Sequence, residues 1–431
     1  MKVLLYPHSM EVGGSQINAL QLAGAVRDRG HQVIVASEPG PLMERVRNLA
    51  LEHVELPLHR SRPSPRVSGI LSDLVKRRGI DVIHGHEWPP IVEAFFGGTL
   101  RHCTPVVGTI MSMSVVPFLP RATHLTVGTE LIRRSALASG YRNVDLLEPP
   151  VDTVADNPSI DGRDFRACLG IRPDEVVIAM ICRLVPDLKL EGMLTACDAV
   201  RELARAGKPV RLVIVGDGRA RDDVARRAAS ANADAGYEAV LLAGEMADAS
   251  PAYAAADILV GQGGSALRGM AFAKPLVVVG EEGFSELLTP DSAPMFLQQG
   301  WYGLGAGTLG TGAPALHRAL ERLVGSPEIR SQLGSFGRRL VQSRFSLGRA
   351  AEIVEGIYVS AIQTPVSVRQ LVPEALHVAA GVAGNRIRRR YLKWTGAGAT
   401  DDQNQRQVIA AVFDTGSNGA TPVGRPERQV A

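Results

Sequence analysis

The chain has 431 residues, of which 45% are hydrophobic and 21% charged, and its formal net charge is +3. That length exceeds one ordinary core and calls for two domains, and the composition excludes a charge-rich disordered chain. So small a charge gives no electrostatic footprint for nucleic acid, the apolar run that opens the chain stops at Pro7, short of a signal peptide, and no window approaches the roughly 20 apolar residues that span a bilayer.

Short apolar runs alternate with longer helical patterns, the mark of a parallel sheet covered on both faces. In the first half the strands are expected at Val3 to Tyr6, Gln32 to Ala36, Asp81 to His84 and Pro105 to Thr109, with helices over Ser15 to Arg29 and Val67 to Arg78. Glu148-Pro149-Pro150-Val151-Asp152 and the polar stretch through Asp164 resist both helix and central strand and read as a linker. The pattern then restarts, with strands at Val176 to Cys182, Val210 to Gly216, Ala239 to Ala243, Ile258 to Val260 and Leu276 to Val279, and helices at Glu191 to Ala206 and Ala220 to Ala231. Leu371 to Trp394 reads as an amphipathic helix with a basic end (Arg386, Arg388, Arg389, Arg390, Lys393), and the Gly/Asp/Gln/Asn-rich segment from about Thr395 as disordered. Cys103, Cys168, Cys182 and Cys197 lack CxxC or Cys/His ligand spacing and read as buried free thiols in a reducing cytoplasm.

Four segments carry chemistry, each at a strand's C-terminal end, where α/β proteins bind ligands. Gly13-Gly14 joins the first strand to the first helix and allows close approach of backbone N–H groups, though a tight turn explains it equally well. Arg183 and Lys189 follow the strand that opens the second half; fixed cations there would stabilise a departing diphosphate, and a solvated surface pair is the bland alternative. Gly216-Asp217-Gly218 sits between a strand and a helix, with Asp217 read as a helix cap. Gly263-Gly264-Ser265 precedes a helix whose N-terminal N–H groups and dipole form a ready anion site.

In their order and spacing these elements, with Ala252-Tyr253-Ala254-Ala255-Ala256-Asp257, Met270-Ala271-Phe272-Ala273-Lys274-Pro275 and Arg344-Phe345-Ser346, resemble the GT-B fold glycosyltransferases, specifically the large retaining family called family four, over about residues 1 to 362. The resemblance implies an α/β protein of two Rossmann-like domains facing a cleft: 1–150 for the acceptor, 151–345 for the donor and a helix at 346–362 crossing back; beyond its reach, composition alone sets the basic helical extension at 363–394 and the disordered tail at 395–431. It implies transfer of a sugar from a nucleoside diphosphate sugar to a hydroxyl-bearing acceptor, a small molecule, glycan or lipid-linked sugar, with retention of configuration. It gives Arg183 and Lys189 the diphosphate; beside them the strand-end loops make Gly13, Gly14, Gly216, Gly263, Gly264 and Ser265 candidates for donor binding, with Arg268 and Glu282 as candidates that could add contacts to phosphate and to sugar or ribose. His86, Glu87 and Met111 become candidates for acceptor or sugar contacts.

No metal motif is visible, so no cofactor beyond the donor is expected. The protein is expected in the cytoplasm, with a peripheral membrane contact through the basic helix weighed against plain solvation. Two departures stand out. Where the family places paired glutamates eight positions apart, this sequence has Val260 and Arg268, and where it commonly has a histidine near the sugar, this sequence has Met111. They keep open a second reading, a nucleotide-sugar-binding or scaffold protein of the same fold without catalysis.

Overall fold

A computed structural model describes residues 1–58, 61–364 and 367–395. The first half forms a seven-stranded, all-parallel sheet in the order β3-β2-β1-β4-β5-β6-β7. Its strands are β1 (Lys2–Tyr6), β2 (Gln32–Ser37), β3 (Glu52–Glu55), β4 (Val82–His86), β5 (Val106–Ile110), β6 (His124–Val127) and β7 (Val144–Leu146). The second half forms a six-stranded sheet from β8 (Val176–Ile181), β9 (Val210–Val215), β10 (Val240–Gly244), β11 (Ile258–Gly261), β12 (Leu276–Val279) and β13 (Ser285–Leu287), in the order β10-β9-β8-β11-β12-β13. Only β13 runs antiparallel among its described pairings.

The central strands are buried, β4, β5, β9 and β12 from end to end and β1 from Val3 on, and β1, β9 and β12 are rich in Val, Leu and Ile, because helices cover both faces of each sheet. The fold is thus the expected pair of α/β domains.

The chain crosses between domains twice, at adjacent points. Val151 N–H donates to the Phe345 carbonyl at 2.8 Å, Leu347 N–H returns to the Val151 carbonyl at 2.8 Å, and Arg344 Nε donates to both Glu148 oxygens at 2.9 and 2.7 Å. Past this hinge the Leu347–Gln363 helix lies on the N-terminal sheet, with Ala350, Val354 and Tyr358 buried beside Val3, Leu5 and Leu20.

The Val368–Trp394 helix also docks on the N-terminal domain, burying Leu371 and Val378 in its core. Of the tail expected to be disordered, only residue 395 falls within the described residues. The cysteines are free, but Cys103 and Cys168 are exposed, contrary to the expectation of burial: each sits at the C-terminus of a short surface helix rather than within a core strand. Among the described residues no helix is long and apolar enough to cross a membrane.

Candidate functional site

Parallel packing sets β8 beside β11, with Ile178 opposite Ile258, so the loops leaving those two strands emerge side by side. The first carries Arg183 and Lys189; the second leads into the Gly263–Ala271 helix. Gln262, the residue before that helix, ties them together by donating from Nε2 to the Leu188 carbonyl at 2.8 Å. The first N–H groups of a helix have no intrahelical acceptor. Gly263 N–H donates to the Trp301 carbonyl at 2.6 Å, which leaves Gly264 and Ser265 heading the helix beside the two cations.

Arg183 is exposed and Lys189 half-buried, and neither forms an ion pair among the described residues. Burial pulls the Lys189 ammonium below its ordinary value, Cys182 opposes this, and Arg183 adds to it. Two neighbouring cations without an ion-pair partner among the described residues are suited to an anion. Ser265 turns its hydroxyl inward to the Gln262 carbonyl at 2.9 Å, so its backbone rather than its side chain is presented.

Gly216 and Gly218 shape this cradle from beneath. Gly216 has φ +139°, and a Cβ there would stand 1.9 Å from the Cys182 carbonyl oxygen; at Gly218 (φ +150°) it would stand 2.3 Å from that of Leu184. The close approach lets Leu184 N–H reach the Asp217 carbonyl at 2.9 Å and Ala220 N–H reach the Leu184 carbonyl at 2.8 Å, which fixes the backbone on either side of Arg183. Asp217 does not cap the following helix: its Oδ1 accepts from Gly218 N–H at 2.7 Å, while Ala220 holds the cap position.

Arg268 occupies the second glutamate position of the resemblance. Its guanidinium is forked onto Asp156, both bonds 2.8 Å, reaches Ser250 Oγ at 2.7 Å, and lies over the Tyr253 ring. These bonds engage its Nε and Nη2 donors. Val260, at the first glutamate position, is a buried core residue of β11. Glu282 has φ +55° and an exposed side chain. Its backbone is held by Glu191, whose carboxylate accepts from Glu282 N–H at 3.0 Å and Gly283 N–H at 2.6 Å. The neighbouring acids are occupied, Glu281 by Tyr302 and Glu286 by Thr308.

On the N-terminal side, β1, β4 and β5 are adjacent, so His86, Glu87, Met111 and the Gly13-Gly14 turn share one sheet edge. His86 is buried, neither ring nitrogen has a hydrogen-bond partner among the described residues, and its ring lies 4.3 Å from that of His84. Burial, with His84 and His8 adding, holds it well below the ordinary histidine range. Glu87 adopts φ +69° and accepts from Met111 N–H at 2.9 Å, Ser112 N–H at 3.1 Å and Ser112 Oγ at 2.8 Å. It therefore positions the Met111 loop. Gly13 is the N-cap of the Gly14–Asp28 helix in an extended conformation, and Gln16 from the first turn reaches His8 at 3.2 Å and Ser9 Oγ at 3.0 Å.

The two edges face each other. Arg45, in the Met43–Asn48 helix after β2, has its charged group lowered in pKa first by burial and then by Arg268 across the cleft. A Cβ on Gly300 would meet the Thr129 methyl at 3.1 Å. Gln262, Glu191, Arg45, His8 and Gln16 were not singled out from sequence. Gln262 alone had a local signal, its place directly before the glycine pair. Among the described residues no group of three or more His, Cys, Asp or Glu is gathered to hold a metal ion.

The family model described as Glycosyltransferase Family 4 matches residues 12–153, and that described as Glycosyl transferases group 1 matches residues 175–301. No curated protein matches the chain. Among solved structures it is similar to a glycosyltransferase from Rickettsia africae (TM-score 0.69, 14% identity, covering 84% of this chain and 99% of that one). It is also similar to Anabaena HepE in complex with UDP (TM-score 0.65, 16% identity, 84% and 100%). A Listeria monocytogenes protein described as a putative UDP-N-acetylglucosamine 2-epimerase shares the architecture too (TM-score 0.58, 15% identity, 84% and 96%), so the fold alone admits more than one reaction.

Proposed function

The chain belongs to the GT-B glycosyltransferases, enzymes that use nucleotide sugars, and from that premise we propose that it moves a sugar from a uridine diphosphate sugar to a hydroxyl of an acceptor held by the N-terminal domain, with retention of configuration. The observation that carries this reading is the cation pair Arg183 and Lys189, without an ion-pair partner among the described residues, beside the head of the Gly263–Ala271 helix. As the bond from the sugar's anomeric carbon to the β-phosphate oxygen breaks, negative charge grows on the diphosphate. Two cations and the Gly264 and Ser265 N–H groups, fixed before the reaction begins, stabilise that charge more than they stabilise the ground state. Uridine is the nucleotide of choice because the Anabaena neighbour was solved with UDP and with UDP-glucose.

The reading places the acceptor against the Gly13-Gly14 turn and the Met111 loop, with the imidazole of His86 buried just behind them as a candidate sugar contact. Glu282 is the exposed carboxylate at the donor domain's rim and a candidate for the sugar or ribose. Arg268 is reassigned to holding the donor domain through Asp156. The cytoplasm is the expected compartment, since nucleotide sugars are the substrate.

A second reading is favoured by one feature: Val260 and Arg268 stand where paired glutamates are usual, and both are built into the domain. A protein so altered would bind the donor without turning it over. Thermal stabilisation by a panel of nucleoside diphosphates and their sugars, followed by product detection, separates the two. Stabilisation with turnover establishes transfer, stabilisation without turnover or hydrolysis establishes the binder, and no stabilisation by any donor refutes both.

A further inference from the structure

The Val368–Trp394 helix carries six basic residues and one acid, Glu374, so its net +5 more than accounts for the chain's overall +3. It is also apolar on two opposite faces. One face, Leu371, Ala375, Val378 and Val382, is packed into the N-terminal core, and the docking is fixed by polar contacts: Ala122 N–H donates to Glu374 Oε1 at 2.8 Å and Arg386 Nη2 to the Pro63 carbonyl at 2.7 Å. The other face presents Val372, Leu376, Ile387, Tyr391 and Trp394, which are 62–84% exposed. Their spacings of four, eleven, four and three residues are whole numbers of helical turns, so they form one stripe. A helix that merely covers a domain needs one apolar face; this one has a second.

The stripe ends where the acceptor edge begins. Arg386 holds Pro63, Ser64 N–H donates to Glu93 Oε1 at 2.5 Å, and Glu93 in turn bonds Tyr6, the last residue of β1. The tip bearing Ile387, Tyr391 and Trp394 therefore projects from the cleft-side rim of the N-terminal domain. Tyr and Trp beside arginines are the side chains that partition to the headgroup region of a bilayer, the rings at the acyl boundary and the guanidinium groups among anionic headgroups. The helix also lies in the part of the chain, from residue 363 on, that corresponds in size to the one-sixth by which it exceeds the solved structures it resembles.

We infer that this helix docks the protein on an anionic lipid surface, with the Val372-to-Trp394 stripe buried at the interface and its arginines on the headgroups. Rolled onto its outer face, it brings the acceptor edge of the cleft to the membrane. The acceptor it serves is then lipid-linked, a conclusion that rests on the glycosyl-transfer reading, whereas the lipid docking does not.

The test is co-sedimentation of the full chain with vesicles of phosphatidylcholine alone or with phosphatidylglycerol, alongside Trp394 emission. The proposal expects binding to the anionic vesicles at least about tenfold above the neutral ones, reduced at about 0.5 M salt, with a blue-shifted emission. An Ile387→Ser/Tyr391→Ser/Trp394→Ser variant should lose at least about tenfold of that binding, as should Arg369→Glu/Arg390→Glu, both keeping wild-type binding of UDP as the check on folding. Equal partition of wild type and the triple variant, or no preference for anionic vesicles, overturns the proposal. So does a dimer in light scattering that the triple variant converts to monomer, because the stripe would then be covered by a second copy. Vesicle binding by a wild type that binds no nucleoside diphosphate would sink the transfer reading and leave the lipid docking standing.

Discussion

The side chain of Gln262 donates to the carbonyl of Leu188 at 2.8 Å, 74 residues away in sequence, and so couples the head of the Gly263–Ala271 helix to the loop that carries Lys189. The proposed anion site is assembled from two loops, and this bond ties them together. Replacing Gln262 with Ala is expected to weaken UDP binding about tenfold, the worth of one hydrogen bond of about 1–1.5 kcal/mol. Titration calorimetry measures it, and unchanged affinity would show that the loops hold their places without the bond.

Arg183→Ala and Lys189→Ala should each weaken donor binding by roughly 1.5–3 kcal/mol, as expected for a charged hydrogen bond. The loss should fall on the nucleoside diphosphate and be nearly absent for the nucleoside. Equal effects on both ligands would place the two cations away from the phosphates.

Gly216→Ala combines a left-handed φ with a Cβ 1.9 Å from the Cys182 carbonyl oxygen. Backbone must move, so a stability loss of about 2 kcal/mol or more is expected in urea unfolding, together with weaker UDP binding as Arg183 shifts. Wild-type stability in this variant would contradict the close packing of the two strand ends.

Arg268→Ala would leave Asp156, buried and doubly bonded to Arg268, without its counter-charge. A loss of about 3 kcal/mol in stability is expected, with the Arg268→Ala/Asp156→Ala pair recovering part of it. A variant that keeps its stability but loses donor affinity would instead return Arg268 to the donor site.

The histidine pair predicts a pH dependence. Burial lowers His84 to about 3, and His86 is also held well below its ordinary value, so both are neutral in the folded protein. The unfolded chain takes up protons near pH 6.5, so their contribution is complete above that pH and is lost as pH falls toward 3. Each unit below 6.5 costs about 1.4 kcal/mol per histidine. Unfolding free energies at pH 7.5 and 5.5 should differ by roughly 2–3 kcal/mol from this pair, and His86→Phe should remove about half of the difference. An unchanged slope in that variant would mean that His86 is protonated in place.

Much of the fold was legible because parallel strands buried on both faces are largely apolar, and β1, β2, β5, β8, β9, β11 and β12 announce themselves that way, while β4 shows it only in Val82-Ile83 and the edge strand β10 in Val240-Leu241-Leu242. The strands that escaped are short or wet: β3 is Glu-His-Val-Glu at an edge, β7 and β13 have three residues each, and β6 begins with His124-Leu125-Thr126. Arg183, Lys189 and the glycine loops could be picked out because they follow strands that point into the cleft. Glu191 could not, since a glutamate in a first helical turn reads as dipole compensation and only the tertiary fold delivers the Glu282 and Gly283 N–H groups to it. Nor could the pairing of Arg268 with Asp156, which spans 112 residues. Glu87 read as a candidate sugar contact, but the hold of its carboxylate on the Met111 loop was not legible, because that partnership depends on the register of β4 against β5.

The most direct test of the donor-site assignment is release of nucleoside diphosphate from a panel of nucleotide sugars by the wild type and by an Arg183→Ala/Lys189→Ala variant, with acceptor hydroxyls supplied as sugars and lipid-linked sugars. The account predicts release from at least one uridine diphosphate sugar and its loss in the variant. Release that persists in the variant, or no binding of any nucleoside diphosphate by the wild type, would contradict it.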